Sequence, residues 1–400
     1  MILSAENARI KSEERRALGV ACGAHALHDG YTDLIYVMLP IWQHEFGLGF
    51  AALGLMKTVF SGTLAGLQIP SGLLAERFGA PIVLALGTAL AGLGYCLAGF
   101  SSGVATLVAA LFVGGLGAST QHPLASSLIA QAFAGARSLK TLGTYNFSGD
   151  IGKMTLPAAA SLLFVVLPWR EALLLLGGIG ALAAVAIFLV MPRFAAEAAA
   201  PRKTEGNARG GARLSQFGFP LLLSVGVIDS ATRMAFLTFL PFVLTAKAAS
   251  LPTVGLALTL VFAGGAAGKL VCAFIGARIG AVATVWLTEA VTALGIVALL
   301  PLSLEAALTL LPLVGVALNG TSSVLYGSVP DLVEPSRRQR AFSIFYTGTI
   351  GAGAVSPALY GLLGDALGVP AALMVVAAVV LLTLPITLAL RPALASSASA

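Results

Sequence analysis

Runs of about twenty apolar residues, each closed by a charge, a proline or a glycine, recur along the whole chain, and nothing constrains its fold more. A segment of that length crosses a bilayer as a helix, since there every backbone polar group must find its partner within the protein. Twelve such runs begin near residues 17, 51, 81, 104, 140, 171, 217, 252, 281, 306, 340 and 369. With 58% hydrophobic and 10% charged residues over 400 positions, a soluble core does not account for the composition. The expectation is an all-α membrane protein with twelve transmembrane helices.

Orientation follows from the basic residues. With the N-terminus inside, seventeen of the 23 Lys and Arg fall in cytoplasmic segments and only Arg170 and Lys247 in external loops. That bias predicts a multi-pass protein of the cytoplasmic (inner) membrane with both termini cytoplasmic. The net charge of +6 then belongs to loops, and no basic tract interleaved with aromatics points to nucleic acid. The first span carries His25, Asp29 and Asp33 and lacks a small-residue cleavage site, so no cleaved signal peptide is expected. Cys22, Cys96 and Cys272 have neither metal-ligand nor disulfide spacing, and no metal site or cofactor is expected. The chain has no HExxH, no Gly-x-Ser-x-Gly and no phosphate loop. These absences argue against an enzyme or an ATP-driven pump and leave a gradient as the energy source.

A shift of about 200 residues aligns Asp29–Leu34 (DGYTDL) with Asp229–Met234 (DSATRM), and Glu76–Ala80 with Gly276–Ala281. Gly114, Thr120 and Pro157 match Gly315, Thr321 and Pro357 at nearly the same offset. The small, polar, basic stretch 193–216 divides the copies. The expected organisation is an N-terminal six-helix bundle over 1–192, a cytoplasmic linker over 193–216 and a C-terminal six-helix bundle over 217–400. Two pseudo-symmetric bundles of this kind suit alternating access around a midplane site.

The segment GLLAERFGA (Gly72–Ala80) resembles the signature between the second and third helices of the major facilitator superfamily. The resemblance implies a gating motif of Gly72, Glu76, Arg77 and Gly79, with Glu76 where the family usually has Asp. His25–Leu48 and QHPLASS in the fourth span look like the fosmidomycin-resistance type of drug exporter. That likeness implies a proton-coupled antiporter; the Gly-Pro motif of such antiporters departs here, with Leu156 before Pro157.

Ionisable groups within the apolar spans need a reason, since each costs at least about 2.5 kcal/mol at the bilayer centre. His25, Asp29, Thr32, Asp33 and Tyr36 share one helical stripe, with His28 at its edge. Asp29, Asp33, His25 and Asp150 are the candidate proton carriers; a static polar network is the alternative. Asp150 and Lys153 stand at i, i+3 and Asp229 and Arg233 at i, i+4, each either a self-neutralised pair or part of a substrate clamp. Tyr36, Gln121, His122, Asn146, Lys153, Asp229, Arg233, Asn319 and Tyr326 are the candidate substrate-binding residues. Glu289 reads as the supporting partner of Lys269. The sequence thus predicts a secondary transporter working as a single chain on protons and a small molecule. Export of a drug-like or anionic toxicant is the first expectation, uptake of a small organic anion the second, and efflux of a metalloid compound the third.

Overall fold

A computed structural model describes residues 2–133, 136–192, 217–334 and 337–398. The linker expected at 193–216 lies outside the described residues. The helices are α1 (Ile2–Phe46), α2 (Phe50–Gly66), α3 (Gln68–Phe78), α4 (Ala80–Gly99), α5 (Val104–Ala118), α6 (Gln121–Ala132), α7 (Ala136–Val166) and α8 (Trp169–Val190). There follow α9 (Gly218–Ala246), α10 (Leu251–Ile279), α11 (Ala281–Leu299), α12 (Leu304–Ser328), α13 (Arg338–Leu367), α14 (Val369–Val380) and α15 (Thr383–Ala398). Ten spans among the described residues are long and apolar enough to cross a membrane, or eleven if α2 and α3, bent by 44°, count as one. The expected twelve is not reached by apolar length alone. The 45-residue α1 is far longer than a bilayer requires, but its middle carries the polar stripe.

Two compact units form. The first takes α1 up to Met38 and the chain from Val59 through α8; the second takes Leu39–Thr58 and everything from α9 onward. The hairpin 39–58 thus belongs with the C-terminal helices, a feature absent from the boundaries expected at 192 and 217. Its physical reason is a helix cap supplied from far along the chain. The carboxylate of Asp365 in α13 accepts from the first backbone N–H groups of α2, at 2.5 Å from Phe50 N and 3.0 Å from Ala51 N. Thr58 donates to the Ala354 carbonyl at 2.7 Å a little farther along.

Within each unit, glycines let helix backbones touch, as expected where lipid supplies no hydrophobic drive between helices. In the first unit α4 packs on α5 and α8. A Cβ on Gly92 would lie 2.5 Å from the Gly177 carbonyl oxygen. In the second unit α10 packs on α12 and α9 on α13, with Gly264 of α10 against Pro312. The turns α3–α4 and α10–α11 are built alike, each on a glycine with positive φ: Gly79 at +90° and Gly280 at +82°. These are the two ends of the motif that the sequence repeats.

Candidate functional site

Each unit holds a buried polar site on its first long helix. In the first unit, residues 25, 28 and 29 of α1 fall on one side of the helix and meet α6 and α7. Asp29 is the hub. Its Oδ1 lies 3.4 Å from His25 Nε2, 3.8 Å from His28 Nε2 and 3.9 Å from His122 Nε2, and its Oδ2 lies 3.3 Å from Lys153 Nζ. The backbone of α7 passes so close that a Cβ on Gly149 would sit 2.5 Å from Asp29 Oδ2. His25 is fixed twice by α7: its Nδ1 is 2.8 Å from the Tyr145 carbonyl, and its ring stacks on the Tyr145 ring with centroids 4.0 Å apart. His25, His28, Asp29, Asp33 and Asp150 are all buried, whereas the His122 side chain remains 44% exposed. His122 is therefore the open side of the cluster.

Lys153, expected to pair with Asp150 by helix spacing, makes an ion pair with Asp29 and lies within electrostatic reach of Asp33 and Asp150. Of the other expected residues in this unit, Gln121 is buried beside the cluster's helix start, Tyr36 is fully buried, and Asn146 is exposed. Glu76 and Arg77 are exposed at the end of α3, with the Arg77 guanidinium over the Phe78 ring at 5.4 Å.

In the second unit Asp229 takes the place of Asp29 but meets different groups. Arg233, one turn on, has a guanidinium nitrogen 4.0 Å from Asp229 Oδ2, and its Nε has no hydrogen-bond partner among the described residues. Across from α9, Glu289 in α11 is buried within electrostatic reach of Asp229 and Arg233, and one of its carboxyl oxygens has no hydrogen-bond partner among the described residues. Two ionised carboxylates around one guanidinium leave one negative charge over, which a single proton would cancel. With that proton, Asp229, Glu289 and Arg233 together are neutral. Thr321 continues the polar line by donating to Thr288 at 2.7 Å. Tyr326 feels the charges of Arg233 and Asp229 and has its hydroxyl 3.3 Å from Thr349. Asn319 is turned elsewhere: its amide donates to the Gly315 carbonyl of its own helix at 3.3 Å and packs on Gly265 of α10.

Glu289, expected beside Lys269, lies within electrostatic reach of Asp229 and Arg233. Its signal in the sequence is a lone acid within an apolar run, and nothing in the spacing of α9 and α11 names Asp229 as a neighbour. His28, at the edge of the stripe, joins the Asp29 cluster outright.

Comparison with known proteins bears on what these sites serve. The profile of the Major Facilitator Superfamily matches residues 21–225 and again residues 222–399. A probable sulfoacetate transporter of Cupriavidus necator is 28% identical over 173 residues, covering 43% of this chain and 40% of that protein. The fosmidomycin resistance protein of Escherichia coli is 30% identical over 148 residues, covering 36% of each. A cephamycin export protein of Amycolatopsis lactamdurans is 34% identical over 161 residues, covering 40% of this chain and 33% of that protein. The chain thus spans two fifths or less of the length of these three relatives. Among solved structures, a bacterial homologue of the human lysosomal transporter Spinster, inward-facing and occupied, superposes with a TM-score of 0.82. It covers 96% of this chain and 98% of that one at 15% identity, a likeness of fold.

Proposed function

The chain belongs to the Major Facilitator Superfamily and is a multi-pass membrane transporter rather than an enzyme, and we propose that it carries a small organic anion across the cytoplasmic membrane by alternating access, coupled to protons. The observation that carries this reading is the carboxyl pair Asp229–Glu289 beside Arg233. When both acids are ionised, two negative charges hold the guanidinium; when one takes a proton, half of that hold is released. Arg233 then has donors to offer an incoming carboxylate, sulfonate or phosphonate, with Tyr326 nearby. Proton and anion therefore bind together. That linkage is symport, in which an acid-outside gradient drives uptake. The sulfoacetate named for one relative is an organic anion, which fits this substrate class.

A second reading, antiport that exports a drug-like anion, is supported by the names of the fosmidomycin resistance and cephamycin export relatives. In both, the basic bias of the sequence supports cytoplasmic termini, and one chain carries both units. The decisive experiment is accumulation of labelled sulfoacetate and fosmidomycin by proteoliposomes under imposed pH gradients. Symport predicts accumulation when the outside is acid; antiport predicts it when the inside is acid. Glu289→Gln preserves the shape of the protonated acid, so gradient-driven accumulation should fall at least tenfold while exchange of labelled for unlabelled anion persists. Unchanged gradient-driven flux in both Glu289→Gln and Asp229→Asn would remove the pair from the mechanism.

A further inference from the structure

Three of the chain's four histidines gather on one carboxylate oxygen. The Nδ1 of His25 faces the carbonyl of Tyr145, which only accepts, so Nδ1 carries the hydrogen. The Nε2 of the neutral ring then directs a lone pair at Asp29 Oδ1, another lone-pair atom, 3.4 Å away. His25 Nε2 and His28 Nε2 are buried and have no hydrogen-bond partner among the described residues. Unpartnered buried ring nitrogens converging on a carboxylate, with that of His25 an acceptor, call for a cation between them.

We propose that this cluster binds a first-row divalent transition-metal ion such as Zn²⁺, Co²⁺ or Ni²⁺, through His25 Nε2, His122 Nε2 and Asp29 Oδ1, with His28 Nε2 as the fourth ligand. The spacing is close to what such an ion demands. Bonds of about 2.0–2.2 Å in a tetrahedral site put neighbouring ligand atoms roughly 3.3–3.5 Å apart. Here the ligand atoms of His25, Asp29 and His122 all lie within 4.8 Å of one another, and the half-exposed His122 is the one with room to close.

The outer contacts are those a metal site needs. The Tyr145 carbonyl fixes the His25 tautomer, and Lys153 holds the other oxygen of Asp29, leaving Oδ1 to the ion. Imidazole with a single carboxylate selects zinc, cobalt or nickel over calcium or magnesium, which take oxygen ligands throughout. A proton alone satisfies one imidazole of three. The sequence hid the site because His122 comes from another helix, far from the His25–Asp29 pair of α1.

The test is Co²⁺ titration of the full-length protein in detergent, purified with an affinity tag that contains no histidine. One equivalent of Co²⁺ should bind and give the strong visible absorption of four-coordinate cobalt, and Zn²⁺ should abolish it. His122→Ala and Asp29→Asn should each weaken Co²⁺ binding at least tenfold, while His44→Ala leaves it unchanged. His122→Ala alters a half-exposed side chain, so it decides the matter even if Asp29→Asn does not fold. Absence of a saturable Co²⁺ signal in the wild-type protein, or equal binding by His122→Ala, overturns the proposal. The readout involves no transport and stands or falls apart from the coupling scheme above.

Discussion

Asp29 and Asp229 occupy the same address in two copies of one helical plan, yet their surroundings are chemically opposite. The first sits among three imidazoles and an ammonium; the second faces another carboxyl and shares a single guanidinium. A buried charge costs several kcal/mol unless something offsets it, and the two units offset theirs differently. The first relies on an ammonium and on cation-seeking imidazoles, the second on one guanidinium between two acids. Duplication kept the acid because the helix address opens on a polar site, and the neighbouring helices then decided what the acid does.

The contrast is broken most sharply by deleting the cation paired with Asp29 and the one paired with Asp229. Lys153→Met leaves the buried Asp29 without its ammonium, and loss of one partner from a buried charged pair costs about 3–5 kcal/mol. Arg233→Met leaves an acid pair that a second proton neutralises, so its cost should be nearer 1 kcal/mol, the value of a typical lost interaction. Thermal unfolding in detergent should therefore show a much larger drop in midpoint for Lys153→Met. Equal drops would mean that the two sites are balanced in the same way.

A smaller effect sharpens the same comparison at the next helix. The repeat partner of Gly149 is Thr349, so α7 comes close to Asp29 at a place where α13 keeps a side chain. Gly149→Ala would set a methyl 2.5 Å from Asp29 Oδ2 and 2.7 Å from His25 Cε1, an overpacking worth about 1–3 kcal/mol. Thr349→Ala loses chiefly its contact with Tyr326, about 1 kcal/mol. Unfolding midpoints should fall further for Gly149→Ala, and its Co²⁺ binding should weaken as well. If Gly149→Ala is silent in both measurements, α7 does not constrain the cluster.

These residues also mark how far the sequence could be read. The polar stripe of α1, the repeat and the glycine turns were legible because each is a local or periodic pattern. The partners of those residues were not. Glu289 meets Asp229 from a helix sixty residues on, and an apolar run does not reveal which of its faces turns inward. Helix spacing likewise suggests Asp150 for Lys153 and gives no sign of Asp29, which tertiary packing brings to 3.3 Å from it. The assignment of 39–58 to the C-terminal unit depends on Asp365 capping α2, a contact over 315 residues that leaves no periodic trace. The same polar stripe that exposed the site in the sequence keeps α1 from passing as an ordinary apolar span.

The smallest effect tests whether anything outside the two sites also diverged. Gly79 and Gly280 end α3 and α10 in the same left-handed region of φ, at +90° and +82°, and an added Cβ at either position meets no atom within 4 Å. Alanine at each should therefore cost only backbone strain, about 1–3 kcal/mol at ψ of 136° and 164°. Because space and conformation match, the two variants should lose stability equally, unlike the pairs at the polar sites. Their transport is a separate matter, since Gly79 follows the exposed Glu76 and Arg77 while Gly280 follows Arg278. If the gating motif acts through those side chains, Gly79→Ala should slow flux more than Gly280→Ala at the same unfolding midpoint. Equal slowing would assign the motif to the turn itself, which both halves share, and would leave the buried sites as the place where the copies parted.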